Sequence, residues 1–175
     1  MTEAVDTVTV RDERTLLTDY LAAQRQHILG ALEGLDEEAL RRQVLPSGWT
    51  CLGLVHHLAM DVEWFWFSGV MAGDPSVLAA LDAGGNAWDV GPEVPVADIL
   101  AGYRQMIARS DAVMAGMDLS APPGYWPEGL FGSGHPDSLR RVLLHVITET
   151  AGHTGHLDAV RELIDGQQWL VLTGE

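Results

Sequence analysis

Seven histidines punctuate the 175-residue chain: His27, His56, His57, His135, His145, His153 and His156. The most informative spacing is Glu149-x-x-x-His153. On a helix, residues i and i+4 are offset by only about 40°, so these two side chains project together. His145 and His156 extend the same polar strip. A His from another helix would complete two nitrogens and one oxygen, a donor set for Zn²⁺, Ni²⁺ or Fe²⁺. The second helix carries His57 on its apolar face, flanked by Leu54 and Leu58. Three protein ligands leave coordination positions open, as a catalytic site requires and a closed structural site does not. A plainer reading stands beside this one. A lone His on an apolar seam is commonly a hydrogen-bonded core residue, and E-x-x-x-H pairs arise on helices by chance. Either way, a carboxylate and imidazoles on an inward face are costly unless paired, hydrogen-bonded or metal-bound.

Helices have to position these residues. Leu17, Leu21, Gln24, Ile28, Leu32 and Leu35 repeat at spacings of three and four, which predicts a first helix from about Asp12–Thr15 to Gly34. Asp36-Glu37-Glu38 opens a short turn of helix, acids first as the macrodipole prefers. Thr50 is the expected N-cap of a second helix reaching about Gly73. Leu54, His57, Leu58, Asp61, Phe65 and Ser68 share one of its faces. Residues 74–95 read as the longest irregular stretch, with Gly84-Gly85, Pro92 and Pro95. A third helix over roughly 96–117 carries the seam Val96, Leu100, Tyr103, Ile107, Ser110, Met114 and Met117. A loop rich in Gly and Pro follows over 118–136. A fourth helix runs from Asp137 or Ser138 to Gly166, a natural C-terminal glycine. Its seam is Leu139, Leu143, Val146, Thr150, His153, Leu157, Val160 and Ile164. Val5, Val8 and Val10 suggest one short strand in a loose arm, and Trp169–Leu172 a tail packed back on the helices. Four long amphipathic helices in one domain over 1–175 predict an all-α four-helix bundle.

Composition narrows the partners. Ten basic residues, all Arg, against 25 acidic ones give a net charge of −15. Such a surface repels phosphate backbones, which argues against nucleic acid and against a polybasic membrane anchor. One cysteine, Cys51, excludes an intrachain disulfide and fits a cytoplasmic protein. It falls in the first turn of the second helix, and its expected role is that of a small buried hydrophobe. The acidic start of the chain does not read as a signal peptide, and no window reads as a membrane span. The run Trp64-Phe65-Trp66-Phe67 covers all sides of a helix, which motivates a homodimer.

Two segments are similar to a known family. Ser47-Gly48-Trp49-Thr50-Cys51-Leu52-Gly53-Leu54-Val55-His56-His57-Leu58-Ala59, followed by Asp61-Val62-Glu63-Trp64-Phe65-Trp66-Phe67, resembles the second helix of the DinB-like superfamily. Leu139 to Asp158, with Glu149-Thr150-Ala151-Gly152-His153 at its centre, resembles the fourth helix of one branch. That branch includes mycothiol-dependent maleylpyruvate isomerase and related thiol S-transferases. The resemblance implies an up-down-down-up bundle with its long crossover between the second and third helices. It implies a divalent metal held at His57, Glu149 and His153. Many superfamily members have His at the position of Glu149; the maleylpyruvate isomerase branch has Glu. His56 stands where an Arg often precedes the ligand, and it should point off the ligand face. His156, His145 and Asp61 are candidates for groups surrounding the ligands.

The function so implied is a metal-dependent transferase or isomerase. It would use a low-molecular-weight thiol such as mycothiol on an electrophilic small molecule. Zinc is the first expectation for the metal, with nickel, manganese or iron as alternatives. Two other readings use the same ligands: metal-assisted hydrolysis, and a non-catalytic metal- or ligand-binding dimer in a stress response.

Overall fold

The computed structural model describes residues 11–127, 129 and 134–169. Among these, every regular element is helical and none is a strand. The suggested strand at Val5, Val8 and Val10 and the tail beyond Trp169 lie outside the described residues.

Local chemistry sets the helix starts. Helix α1 (Glu13–Ala31) begins at Asp12, whose carboxylate accepts from the Thr15 N–H at 3.0 Å. Helix α2 (Glu37–Arg41) is capped by Asp36 through the Ala39 N–H at 2.8 Å. Thr50 accepts from the Gly53 N–H at 3.0 Å and opens α3 (Cys51–His57). Each cap satisfies an N–H that has no partner inside the helix. Beyond His57 the chain continues without a break as a wider π-helical segment, Leu58–Met71. Its last turn closes with the Ala72 N–H on the Phe67 carbonyl at 2.9 Å, five residues back.

The stretch expected to be irregular over 74–95 contains a helix, α4 (Pro75–Asp82). Its start signal was legible: Pro at the first helical position needs no N–H partner, and Asp74 accepts from the Ser76 N–H at 2.9 Å. The Gly-Gly and Pro residues that follow masked it. Helix α5 (Val96–Ala115) and helix α6 (Leu139–Asp165) match their expected spans closely. Helix α6 stops at Gly166, whose φ of 76° is accessible without strain only to residues lacking a Cβ.

The most extensive packing joins α1 to α6 and α5 to the π-helical segment; α6 also meets that segment and α3. Leu21, Ile28, Leu54, Leu58, Phe67, Leu143 and Leu157 are fully buried between them. Each such side chain contributes about 1.5–3 kcal/mol relative to exposure. Phe65, Trp66 and Phe67 are buried within one chain and Trp64 is half-buried. A single chain therefore covers most of the aromatic run that motivated a dimer. The loop after α5 seals the end of the π-helical segment, with the Gly124 and Tyr125 N–H groups donating to Met71 and Val70 carbonyls at 3.0 and 3.1 Å.

Candidate metal centre

Helix α6 interrupts its own apolar seam at His153, between the buried Thr150 and Leu157. One turn earlier lies Glu149, and His57 faces both from the last turn of α3. One donor atom of each of these three residues lies within 4.8 Å of the others. Both imidazoles are 13% exposed and the carboxylate 42%, so the group is reachable from solvent on one side.

The bonding of the three donors is incomplete. His153 Nε2 sits 3.5 Å from Glu149 Oε1, too far for a good hydrogen bond. Its Nδ1 is buried and has no hydrogen-bond partner. Burial, followed by the neighbouring His57, holds the His153 pKa below the ordinary value of 6.5. The ring is therefore neutral at pH 7, with a lone pair to give. His57 is better provided: its Nδ1 lies 2.9 Å from Asp61 Oδ2. That contact fixes the ring and leaves Nε2 free, the carboxylate–histidine arrangement that commonly supports metal ligands. Two imidazole nitrogens and one carboxylate oxygen fit a divalent cation of borderline softness.

Sequence reasoning did not find Trp88. Its ring stacks on His57 with centroids 4.2 Å apart and 19° between planes, and stands 5.5 Å from His153. It roofs the centre from the 83–95 loop, which is held in several places. His56 turns away from the ligands, and its Nδ1 meets the Ala87 carbonyl at 2.7 Å. Arg41 donates to the Gly91 and Val94 carbonyls at 3.2 and 2.5 Å. Gly53 lets the loop approach: a Cβ there would stand 2.4 Å from the Trp88 carbonyl oxygen. A Trp in a Gly- and Pro-rich loop carries no helical periodicity, so only its aromatic character could have signalled it.

The other candidates fall in different places. The His156 ring lies exposed, 5.7 Å from His153. His145 packs its ring 4.3 Å from Trp66 and makes no hydrogen bond to Glu149; burial lowers its pKa. Cys51 is fully buried, which pushes its thiol pKa up to about 11, so it is no nucleophile. Gln24 accepts from the Thr154 hydroxyl at 2.9 Å through its side-chain oxygen. His27 pairs with Asp158 at 2.8 Å and packs against Trp169 at 4.4 Å.

A second polar cluster went unread in the sequence. Arg25 is 4% exposed and sends Nε and Nη2 to the two oxygens of Glu63 at 2.7 and 2.6 Å. Its Nη1 reaches Asp111 at 2.8 Å. Arg25 lies four residues after Leu21 and three before Ile28, so the seam of α1 already pointed at it.

The described residues form an all-helical protein that brings together a His–Glu–His triad able to hold a divalent cation. The chain matches the model of the mycothiol-S-transferase family over residues 16–166 and belongs to that family, a DinB-like branch. The match takes in both segments on which the resemblance rested. No curated protein matches the chain.

Proposed function

We propose that the protein is a metal-dependent mycothiol S-transferase in which His57, Glu149 and His153 hold one divalent cation, zinc first among the candidates. The observation that supports this most directly is the convergence of one donor atom each from His57, Glu149 and His153 within 4.8 Å. A bound divalent cation would lower the pKa of a coordinated thiol, so that it reacts as the thiolate. Asp61 holds His57 in one orientation, and Trp88 screens that ring from water. His156, open to solvent beside His153, is placed to carry the thiol proton away. The thiolate would form a C–S bond to an electrophilic carbon, whose displaced electron pair would take up a proton or leave with the departing group. In an isomerisation the same C–S bond would break again and release the thiolate.

The same reading takes α1, α3 with its π-helical extension, α5 and α6 as an up-down-down-up bundle, one domain over 1–175. Residues 72–95 are its long crossover. It places the enzyme in the cytoplasm, as a homodimer. Leu16 and Tyr20 on α1 and Leu144 on α6 are exposed apolar side chains that a second copy would cover. No described helix is long and apolar enough to cross a membrane.

The deciding experiment measures metal content of untagged protein purified without chelator, for wild type and for His57→Ala, Glu149→Gln and His153→Ala. Mycothiol consumption is then followed before and after metal removal. Thiol turnover that vanishes with the metal and returns on reconstitution supports the transferase. Hydrolysis without thiol would move the assignment to a hydrolase, and metal binding without turnover to a binding module. Wild-type protein that takes up no Zn²⁺, Ni²⁺, Mn²⁺ or Fe²⁺ removes the site altogether.

A further inference from the structure

The 83–95 loop and the segment 41–50 together line a cleft of about 600 Å³. That volume lies within the ordinary range for small-molecule sites. Trp88 belongs to both places: it lines the cleft and stacks on His57. Trp49 supplies a second aromatic wall, with its ring centroid 6.3 Å from that of Trp88. Polar side chains without a protein partner also line the cleft. Gln43, Ser47 and Asp89 line the cleft and make no side-chain hydrogen bond among the described residues. Asn86 uses its carbonyl oxygen on the Trp88 N–H at 3.1 Å, which leaves its amide hydrogens to donate.

The electrostatics select against a charged occupant. The one cation in the lining is Arg41, already engaged with Glu37 at 3.0 Å and with two loop carbonyls. Asp89 and the net charge of −15 repel anions. Flat aromatic walls with a mixed set of neutral donors and acceptors match a group with apolar C–H faces and a rim of hydroxyls. The loop is tied down by His56, Arg41 and the close approach at Gly53, so the cleft is already shaped before a ligand enters.

We infer that the cleft behind Trp88 binds an uncharged polyhydroxylated group, the sugar–cyclitol portion of the thiol substrate. The sulfur, tethered to that group, would reach the metal centre past the edge of Trp88. This rests on the transferase reading. It adds that the thiol is selected by its carbohydrate part at a site separate from the metal ligands.

The test uses a thiol-free probe, N-acetylglucosaminyl-inositol, titrated into wild-type protein with metal present and with metal removed. Tryptophan fluorescence and calorimetry read the binding. Saturable binding in both states is expected, because the cleft contains no metal ligand. Trp49→Ala should weaken it about tenfold, the usual cost of losing an aromatic wall. In turnover, the kcat/KM ratio of mycothiol to N-acetylcysteine should fall by a similar factor. Should Trp49→Ala lose its helical circular dichroism, the exposed pair Gln43→Ala and Ser47→Ala takes its place with the same expectation. Absence of probe binding, or binding that neither variant weakens, overturns the inference. Metal-dependent turnover of mycothiol would then leave the transferase reading standing. Probe binding without any thiol turnover does the reverse: it keeps the cleft and rejects the transferase.

Discussion

Two polar clusters sit inside the helices, and they are finished to different degrees. In the Arg25–Glu63–Asp111 network the guanidinium donates to three carboxylate oxygens at 2.6–2.8 Å, and both oxygens of Glu63 are satisfied. Arg25 and Glu63 are 4% and 1% exposed. In the His57–Glu149–His153 group the donors converge, yet the closest carboxylate contact of His153 is 3.5 Å and its Nδ1 has no partner. Burial of a polar group is tolerated where bonds compensate it. The first cluster meets that condition within the chain and is structural. The second does not meet it among the described residues. The orphaned hydroxyl of Tyr103 offers a contrast: it is buried without a partner too, but as a single group with no converging donors it defines no ligand set.

The largest effect that would sharpen this contrast is expected at Glu63. Glu63→Ala leaves the buried Arg25 charge with Asp111 alone, and should cost about 3 kcal/mol in urea unfolding. The folded fraction should still take up metal normally. Loss of metal binding without loss of stability would break the comparison. His153→Ala should behave in the opposite way. Wild-type protein should gain about 2.7 kcal/mol of stability at metal concentrations 100 times the Kd. The variant should lose that gain in thermal melts, while its metal-free stability changes little. A metal-free His153→Ala protein as crippled as Glu63→Ala would make the imidazole structural after all.

Asp61→Asn should be milder. It keeps a partner for His57 Nδ1 but removes the charge, and outer-shell changes of this kind cost about 10- to 100-fold in metal affinity. Competition with a chromogenic chelator reads the difference directly. The smallest effect concerns acid. Burial and His57 hold the His153 pKa in the folded protein below 6.5. Between that lowered value and 6.5 the unfolded chain binds more protons, so metal-free stability falls as pH drops through this window. His153→Ala should flatten the slope. An unchanged slope would place the titrating group elsewhere.

Legibility in the sequence followed periodicity. Thr50 at the start of α3, Gly166 at the end of α6, and the α5 and α6 seams could be read because capping and helical spacing act over a few residues. The pair Glu149 and His153 was legible for the same reason: one turn of backbone fixes their mutual position. His57 needed a family resemblance, because nothing local relates it to α6. Helix α4 was hidden among glycines and prolines despite its Asp-Pro start. The Arg25 network was not legible because its partners Glu63 and Asp111 lie far from it along the chain. Trp88 had no pattern at all.

The sequence by itself determined the all-helical class, the caps, the inward pair on α6, the acidic surface and the inert Cys51. These depend on side-chain type and on neighbours within about one helical turn. Only the tertiary structure decided which His meets that pair, how Arg25 is neutralised, and that Trp88 both roofs the centre and lines the cleft. Those facts join residues such as His57 and His153, or Arg25 and Glu63, that are far apart along the chain. They follow from how long helices and one tethered loop pack, which no local spacing contains.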